Sequence, residues 1–324
     1  MLESRGSKLD QNNLSGGLFY KRQWSEDFST IFQWYGSDYE LGSRNVDVIN
    51  NQELFQTNKV EETGFRIRGL YDFSQRFTLE LGYQFNETGI TNFEKINNPD
   101  FERTDKQVIR TNSLFADASY LTNNNRTLLS GGLRINHIGK FDQIKLEPRV
   151  RINHRFSNKL SLELLSEIKS QTTSQIVDFQ TDFLGVENRR WVLSSPGEIT
   201  IIMGRQVSLD LIYVNRGWQL SVEPYLKEVD GISSQSQGFQ NQFQNSRSNG
   251  KYTVKGVDLL IDKRFQKVNT WLGYSFADNS YRFTDFDPSE FHNNLDVTHT
   301  LSYGINYSWK DFKVAGGLNW HSGK

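Results

Sequence analysis

The chain has 324 residues, 36% of them hydrophobic and 13% aromatic, with a mean hydropathy of −0.62 and a formal net charge of −1. No run of about eighteen apolar residues occurs, which excludes a spanning helix, and the near-neutral charge gives no electrostatic basis for binding nucleic acid. The absence of cysteine excludes disulfides and thiolate metal sites, while low hydropathy with many aromatics suits a membrane barrel or a soluble all-β protein.

In chain order, residues 1–11 are polar, lack the apolar core of a signal peptide and read as unstructured. Strands are expected at Leu14–Gln23 and Phe28–Glu40, turned at 24–27, then at Glu62–Asp72 and Phe77–Asn86, turned at 73–76. In FTLELGYQF the alternation is nearly perfect, Phe77, Leu79, Leu81, Tyr83 and Phe85 against Thr78, Glu80, Gly82 and Gln84. Period-two alternation places the two sets on opposite faces of a strand. Gln107–Leu121 and Thr127–Ile138 follow, turned at an asparagine cluster, then Gln143–Arg155 with Leu160–Gln171. Ile199–Val214 and Trp218–Lys227 flank a tight turn with glycine at Gly217. The hairpin within Gly250–Ala277 repeats the pattern most clearly, and Asp296–Ser308 with Phe312–His321 completes roughly fourteen strands. Many of these arms run to about ten residues or more, the length a tilted transmembrane strand needs, where globular strands average about five or six.

Short turns alternate with long connections at 41–61, 87–106, 172–196, 228–249 and 278–295, the short link at 139–142 being an exception. One trimmed and one elaborated end is the asymmetry of outer-membrane barrels, and the long connections are expected to be extracellular. Arg66 with Arg68, Arg149 with Arg151, and Asp258 with Asp262 fall on the polar faces, where a wet lumen tolerates them and a dry core does not. The five histidines lie in separate segments without ligand spacing, and neither Gly131-Gly132 nor Gly316-Gly317 opens a helix as a phosphate loop does. No nucleophile, base and orienter can be assembled, so no enzyme activity and no cofactor are expected. In the long connections, Arg189, Arg190, Trp191, Phe239 and Phe243 are the candidate ligand contacts, set against the plainer reading that loop aromatics pack their own loops.

The segments LEPRVRINHRFSNKLSLELLSEIKSQ, with Glu147, Pro148 and Arg149 opening one strand and Gln171 closing the next, SSPGEITIIMG, WQLSVEPYLKEVDGI, YTVKGVDLLIDKRF, WLGYSFADNSYRF, DVTHTLSYGINY and GGLNWHSGK resemble the barrel region of TonB-dependent receptors of the Bacteroidota type. The resemblance runs from about Leu14 onward and consists of spacing and residue type. It implies an antiparallel up-and-down transmembrane β-barrel, part of a larger barrel of about 22 strands with a plugged lumen. It further implies energised uptake of a siderophore, vitamin, oligosaccharide or peptide across the Gram-negative outer membrane. Partners would be the extracellular ligand, outer-membrane lipid and the inner-membrane TonB complex, the last reached through a plug and a TonB box that cannot be located in these residues. The 324 residues are therefore expected to be a partial barrel. The rival readings are a passive outer-membrane channel and a soluble β-rich adhesin or lectin.

Overall fold

A computed structural model describes residues 7–47, 51–177, 189–237, 239, 248–293 and 296–323. One sheet of 15 strands dominates it. Its strands are β1 (Ser7–Gln23), β2 (Phe28–Asp47), β3 (Gln52–Ser74), β4 (Phe77–Asn97), β5 (Asp100–Leu121), β6 (Thr127–Ile138), β7 (Gln143–Arg155), β8 (Leu160–Gln171), β11 (Ile202–Asn215), β12 (Trp218–Ser233), β13 (Asn249–Arg264), β14 (Val268–Arg282), β15 (Glu290–Phe291), β16 (His299–Trp309) and β17 (Phe312–His321). They pair antiparallel in chain order, with the short β15 added beside β14. A separate hairpin, β9 (Thr173–Val177) with β10 (Arg189–Leu193), is inserted between β8 and β11. Neighbours in sequence are thus neighbours in space, the meander of an up-and-down barrel wall. Among the described residues β1 pairs only with β2 and β17 only with β16, so the sheet is open at both edges.

The register assigns the two faces. Tyr20, Phe32, Ile67, Tyr83, Leu114, Ile135 and Leu146 lie opposite one another across β1 to β7. Leu162, Leu211, Val222, Leu259, Tyr274, Leu301 and Trp320 make the corresponding row across β8 and β11 to β17. These side chains are not a packed core: Leu114 is 61% exposed and Leu146 54%. Large apolar groups in continuous exposed rows require an apolar solvent, and the hydrocarbon of a bilayer supplies it. No described helix is long and apolar enough to cross a membrane.

At one end the strands are joined by turns of a few residues, each flanked by exposed aromatics such as Trp24, Phe73, Phe156, Trp218, Phe265, Trp309 and Phe312. Arg22 lies 4.0 Å from the Trp24 ring and Lys263 4.6 Å from the Trp218 ring. This is the arrangement expected of an aromatic girdle, with cations beside the rings. The 216–217 turn places Arg216 at φ 48 and Gly217 at φ 78, the left-handed pair a two-residue hairpin requires. On the inner face, rings reach over glycines of the next strand: Tyr35 over Gly64, Phe115 over Gly82, Tyr225 over Gly256 and Trp271 over Gly304, where a Cβ would collide with the ring. Glycine here permits close packing against the wall.

Several expected boundaries are corrected. The strand begins at Ser7, within the segment expected to be unstructured. The connections at 41–61 and 87–106 are largely strand, since β2 pairs with β3 from Phe28↔Tyr71 to Asp47↔Gln52 and β4 with β5 from Phe77↔Tyr120 to Asn97↔Asp100. Their polarity misleads for a physical reason. Above the hydrocarbon layer both faces are wet, so the ladder continues while the apolar alternation that betrays it stops. The connections at 228–249 and 278–295 shorten as well, because β12 runs to Ser233 and β14 to Arg282.

Candidate functional site

The inner wall of β3 to β8 carries a ladder of charge produced by the same alternation that turns the apolar rows outward. Arg68 pairs with Glu80 at 3.5 Å, Arg149 with Asp117, Arg151 with Glu163 at 2.9 Å and Lys169 with Glu167 at 2.7 Å. Arg134 is held without a direct carboxylate hydrogen bond. Its Nε donates to Asn136 Oδ1 at 2.8 Å, one Nη to Gln84 Oε1 at 2.9 Å and the other to Ser113 Oγ at 2.8 Å, while Glu147 stands 4.0 Å away. Arg66 and Arg134 both lie against the Phe115 ring, at 5.0 and 5.9 Å. In a partly desolvated wall such charge-assisted bonds hold their groups rigid, while the Nε atoms of Arg66 and Arg68 are buried without a hydrogen-bond partner. Further along, Asp210 accepts from Ser221 Oγ at 2.6 Å, Asp258 accepts from Ser275 Oγ, and Asp262 pairs with Arg264 at 3.3 Å. The inward placement expected for the arginine and aspartate pairs is observed.

Over this wall folds the β9–β10 hairpin, with β10 against β3, β4 and β5. Two asparagines clamp it. The Trp191 amide donates to Asn58 Oδ1 at 3.2 Å, and Asn92 Nδ2 donates to the Trp191 carbonyl at 3.1 Å. Leu193 is buried with Ile90, Ile109 and Ile138, and Trp191 packs on that cluster together with Val60. Between hairpin and wall is a cavity of about 890 Å³, lined by Trp191, Tyr39, Glu62, Asn86, Arg134, Asn136, Glu147, Gln171 and Gln175 among others. Glu62 accepts from Asn86 Nδ2 at 2.6 Å, and Glu147 accepts from both the amide and the hydroxyl of Ser170.

Of the sequence candidates, Trp191 therefore lines a cavity, and Arg189 and Arg190 open β10 beside it. Phe239 is 1% exposed, surrounded edge-on by Tyr281, Phe283 and Phe291 at 5.0, 5.6 and 5.1 Å between ring centres. Its ring welds the connections after β12 and β14 together and presents no free surface. Phe243 lies outside the described residues. Near this aromatic cluster burial raises the pKa of the Asp296 carboxyl, against the opposing hydrogen bonds from the Asn293 amide at 3.0 Å and Asn279 Nδ2 at 3.2 Å. Asn58, Asn92 and Arg134 were not singled out from the sequence. The first two sit in segments read as loop, although continuing the alternation past Val60 and Ile90 puts them opposite each other. Among the described residues no group of three or more histidine, aspartate or glutamate side chains is placed to hold a metal ion.

No family model matches the sequence, and no curated protein matches it. Its structure does match solved ones. The unliganded ferric citrate transporter FecA aligns over 97% of this chain and 49% of its own, with a TM-score of 0.74 at 10% identity. The copper transporter OprC aligns over 96% and 54%, at 0.72 and 13%. The RagAB peptide transporter aligns over 97% and 48%, at 0.66 and 11%. At such identities the likeness is one of fold: the chain has the barrel-wall fold of TonB-dependent receptors. It spans about half the length of these structures.

Proposed function

We propose that this chain forms the wall, and part of the ligand-binding outer surface, of an energised importer of the TonB-dependent type in the outer membrane of a Gram-negative bacterium. The observation that carries this reading is the division of the sheet into an outward face of exposed apolar rows and an inward face of paired charge roofed by a hairpin. A soluble adhesin or lectin has no use for the first, and an enzyme would need reacting groups in place of the second. The open edges at β1 and β17 present unpaired backbone groups, which hydrocarbon does not tolerate. Further strands closing a barrel of about 22 would satisfy them, with a plug in the lumen moved by the inner-membrane TonB complex. The β10 segment, whose Trp191 lines the cavity, is assigned to ligand contact on the extracellular side.

Uptake by cells carrying the full-length protein tests this reading. Entry of ligand is expected to fall to background when the TonB complex is deleted or the proton motive force is collapsed. Entry that is indifferent to both would instead establish a passive channel. Epitope tags in the connections at 172–196 and 283–298 are expected to be labelled on intact cells, and labelling at 75–76 or 216–217 instead would reverse the orientation.

A further inference from the structure

We propose that Arg66 and Arg134, both set against the Phe115 ring on the inner wall, receive a carboxylate side chain of the domain that fills the lumen in the full-length protein, an inference that rests on the importer reading above. The pair is an unbalanced charge. On the same face Arg68, Arg149 and Arg151 have the carboxylates of Glu80, Asp117 and Glu163. Arg134 gives its hydrogen bonds only to the neutral Asn136, Gln84 and Ser113, with Glu147 4.0 Å away. Arg66 makes no hydrogen bond or ion pair with any described residue, and its Nε is buried. Both lie at membrane depth, Arg66 between Phe65 and Ile67 and Arg134 between Leu133 and Ile135, residues of the outward apolar face. Charge at that depth costs free energy unless a partner meets it from within.

Phe115 fixes the spacing. Its ring covers Gly82, where a Cβ would stand 2.2 Å from it, and the Arg66 and Arg134 guanidiniums lie 5.0 and 5.9 Å from its centre. The ring attracts both cations without neutralising either, so two like charges are ordered before any partner arrives. A carboxylate is the group whose geometry matches such forked donors. Arg66 is not among the residues lining the cavity beneath the hairpin, so a ligand held there leaves it unpaired. The wall at β11 to β13 has the opposite sign: Asp210 and Asp258 accept from the hydroxyls of Ser221 and Ser275, and Glu223, facing Asp258 across the ladder, has no cationic partner among the described residues. An acidic segment is repelled there and attracted at Arg66, so this contact also fixes which way the luminal domain is turned.

The test is photocross-linking in the full-length protein with p-benzoylphenylalanine in place of Gln33, which faces Arg66 across β2 and β3. A cross-link is expected to a peptide outside these 324 residues that contains aspartate or glutamate. R66E is expected to lower its yield about tenfold and R134Q about threefold, and R66E joined to an acid-to-arginine change in the cross-linked peptide to return it to within about threefold of the parent. Heat-modifiable migration in gels confirms that each variant has a folded barrel. A cross-linked peptide without an acid, a yield indifferent to R66E and R134Q, or a charge swap without recovery overturns the proposal. So does protection of Arg66 from phenylglyoxal by inorganic phosphate in the absence of any cross-link, which gives the pair to a free anion. If the cross-link fails while uptake remains TonB-dependent, the contact falls and the importer reading survives. If the cross-link and the swap hold while uptake is indifferent to the TonB complex, the importer reading falls and the contact stands.

Discussion

The two halves of the wall raise protein above the membrane by different means. In the first, β2 to β5 simply continue for 20 to 23 residues, about twice the 9–11 needed to cross, and their tips are held by backbone ladders. Apart from the small cluster of Ile90 and Ile109 under the β9–β10 hairpin, side-chain support there includes exposed ion pairs, such as Lys59 with Asp38 at 2.9 Å and Lys95 with Glu102 at 3.3 Å, which water weakens. In the second half the connections after β12 and β14 leave the sheet and fold on a core of their own, Phe239, Tyr281, Phe283 and Phe286. Stability is spread along many hydrogen bonds in one half and concentrated in a few rings in the other. The first half should therefore yield gradually to damage and the second abruptly.

The sharpest way to break that contrast is Phe283→Ala in the full-length protein. Phe283 is 0% exposed, and a Phe-to-Ala truncation in such a site costs about 3–5 kcal/mol. Hydrogen exchange is expected to accelerate across residues 229–239 and 281–291 with β2 to β5 unchanged; acceleration in the long hairpins as well would mean that the halves share one cooperative unit. Gly256→Ala comes next, because its Cβ would meet the Tyr225 ring and stand 2.7 Å from the Phe276 carbonyl oxygen. Overpacking of about 1–3 kcal/mol is expected to lower the urea midpoint of the barrel itself, read by loss of heat-modifiable migration.

In the first half, Asn58→Ala strips the Trp191 amide of its acceptor at a cost of about 1–3 kcal/mol. Exchange at 189–193 is expected to speed up while the strand carrying residue 58 stays protected, since its ladder does not depend on that side chain. The smallest effect concerns Asp296. Because burial raises its folded pKa above the unfolded value near 3.9, the folded loops hold the proton more tightly than the unfolded chain does. The penalty is present in full above the raised pKa and is relieved as pH falls through it. Proteolysis of the loops around β15 is thus expected to slow as the pH falls through the raised pKa toward the unfolded value, and D296N to flatten that dependence.

How much of this was legible depended on which solvent each residue faces. The strands of the bilayer zone were readable because lipid outside and water inside force opposite chemistry on alternate residues, as in Phe77 to Phe85. Above the membrane Asn58 and Asn92 pair in the same ladder, but with water on both sides no contrast marks them. Trp191 stood out as an aromatic among arginines, yet nothing local tells it from Phe239, which turned inward to other rings. The difference is set by partners more than a hundred residues away for Trp191 and some forty for Phe239, at Asn58 and at Tyr281. Arg134 likewise becomes notable only through Gln84 and Ser113 on two other strands.

The alternation of faces also sorts the seven tryptophans of the chain by optical environment. Trp24, Trp218 and Trp309 stand outward at the short-turn girdle, and Trp34 and Trp320 outward within the wall, each about half exposed, whereas Trp191 and Trp271 face inward. Brominated acyl chains can quench only the outward five, and a water-soluble quencher entering the lumen reaches the other two. The molecule thus carries two separate fluorescent populations, one reporting on its depth in the bilayer and the other on what occupies its interior.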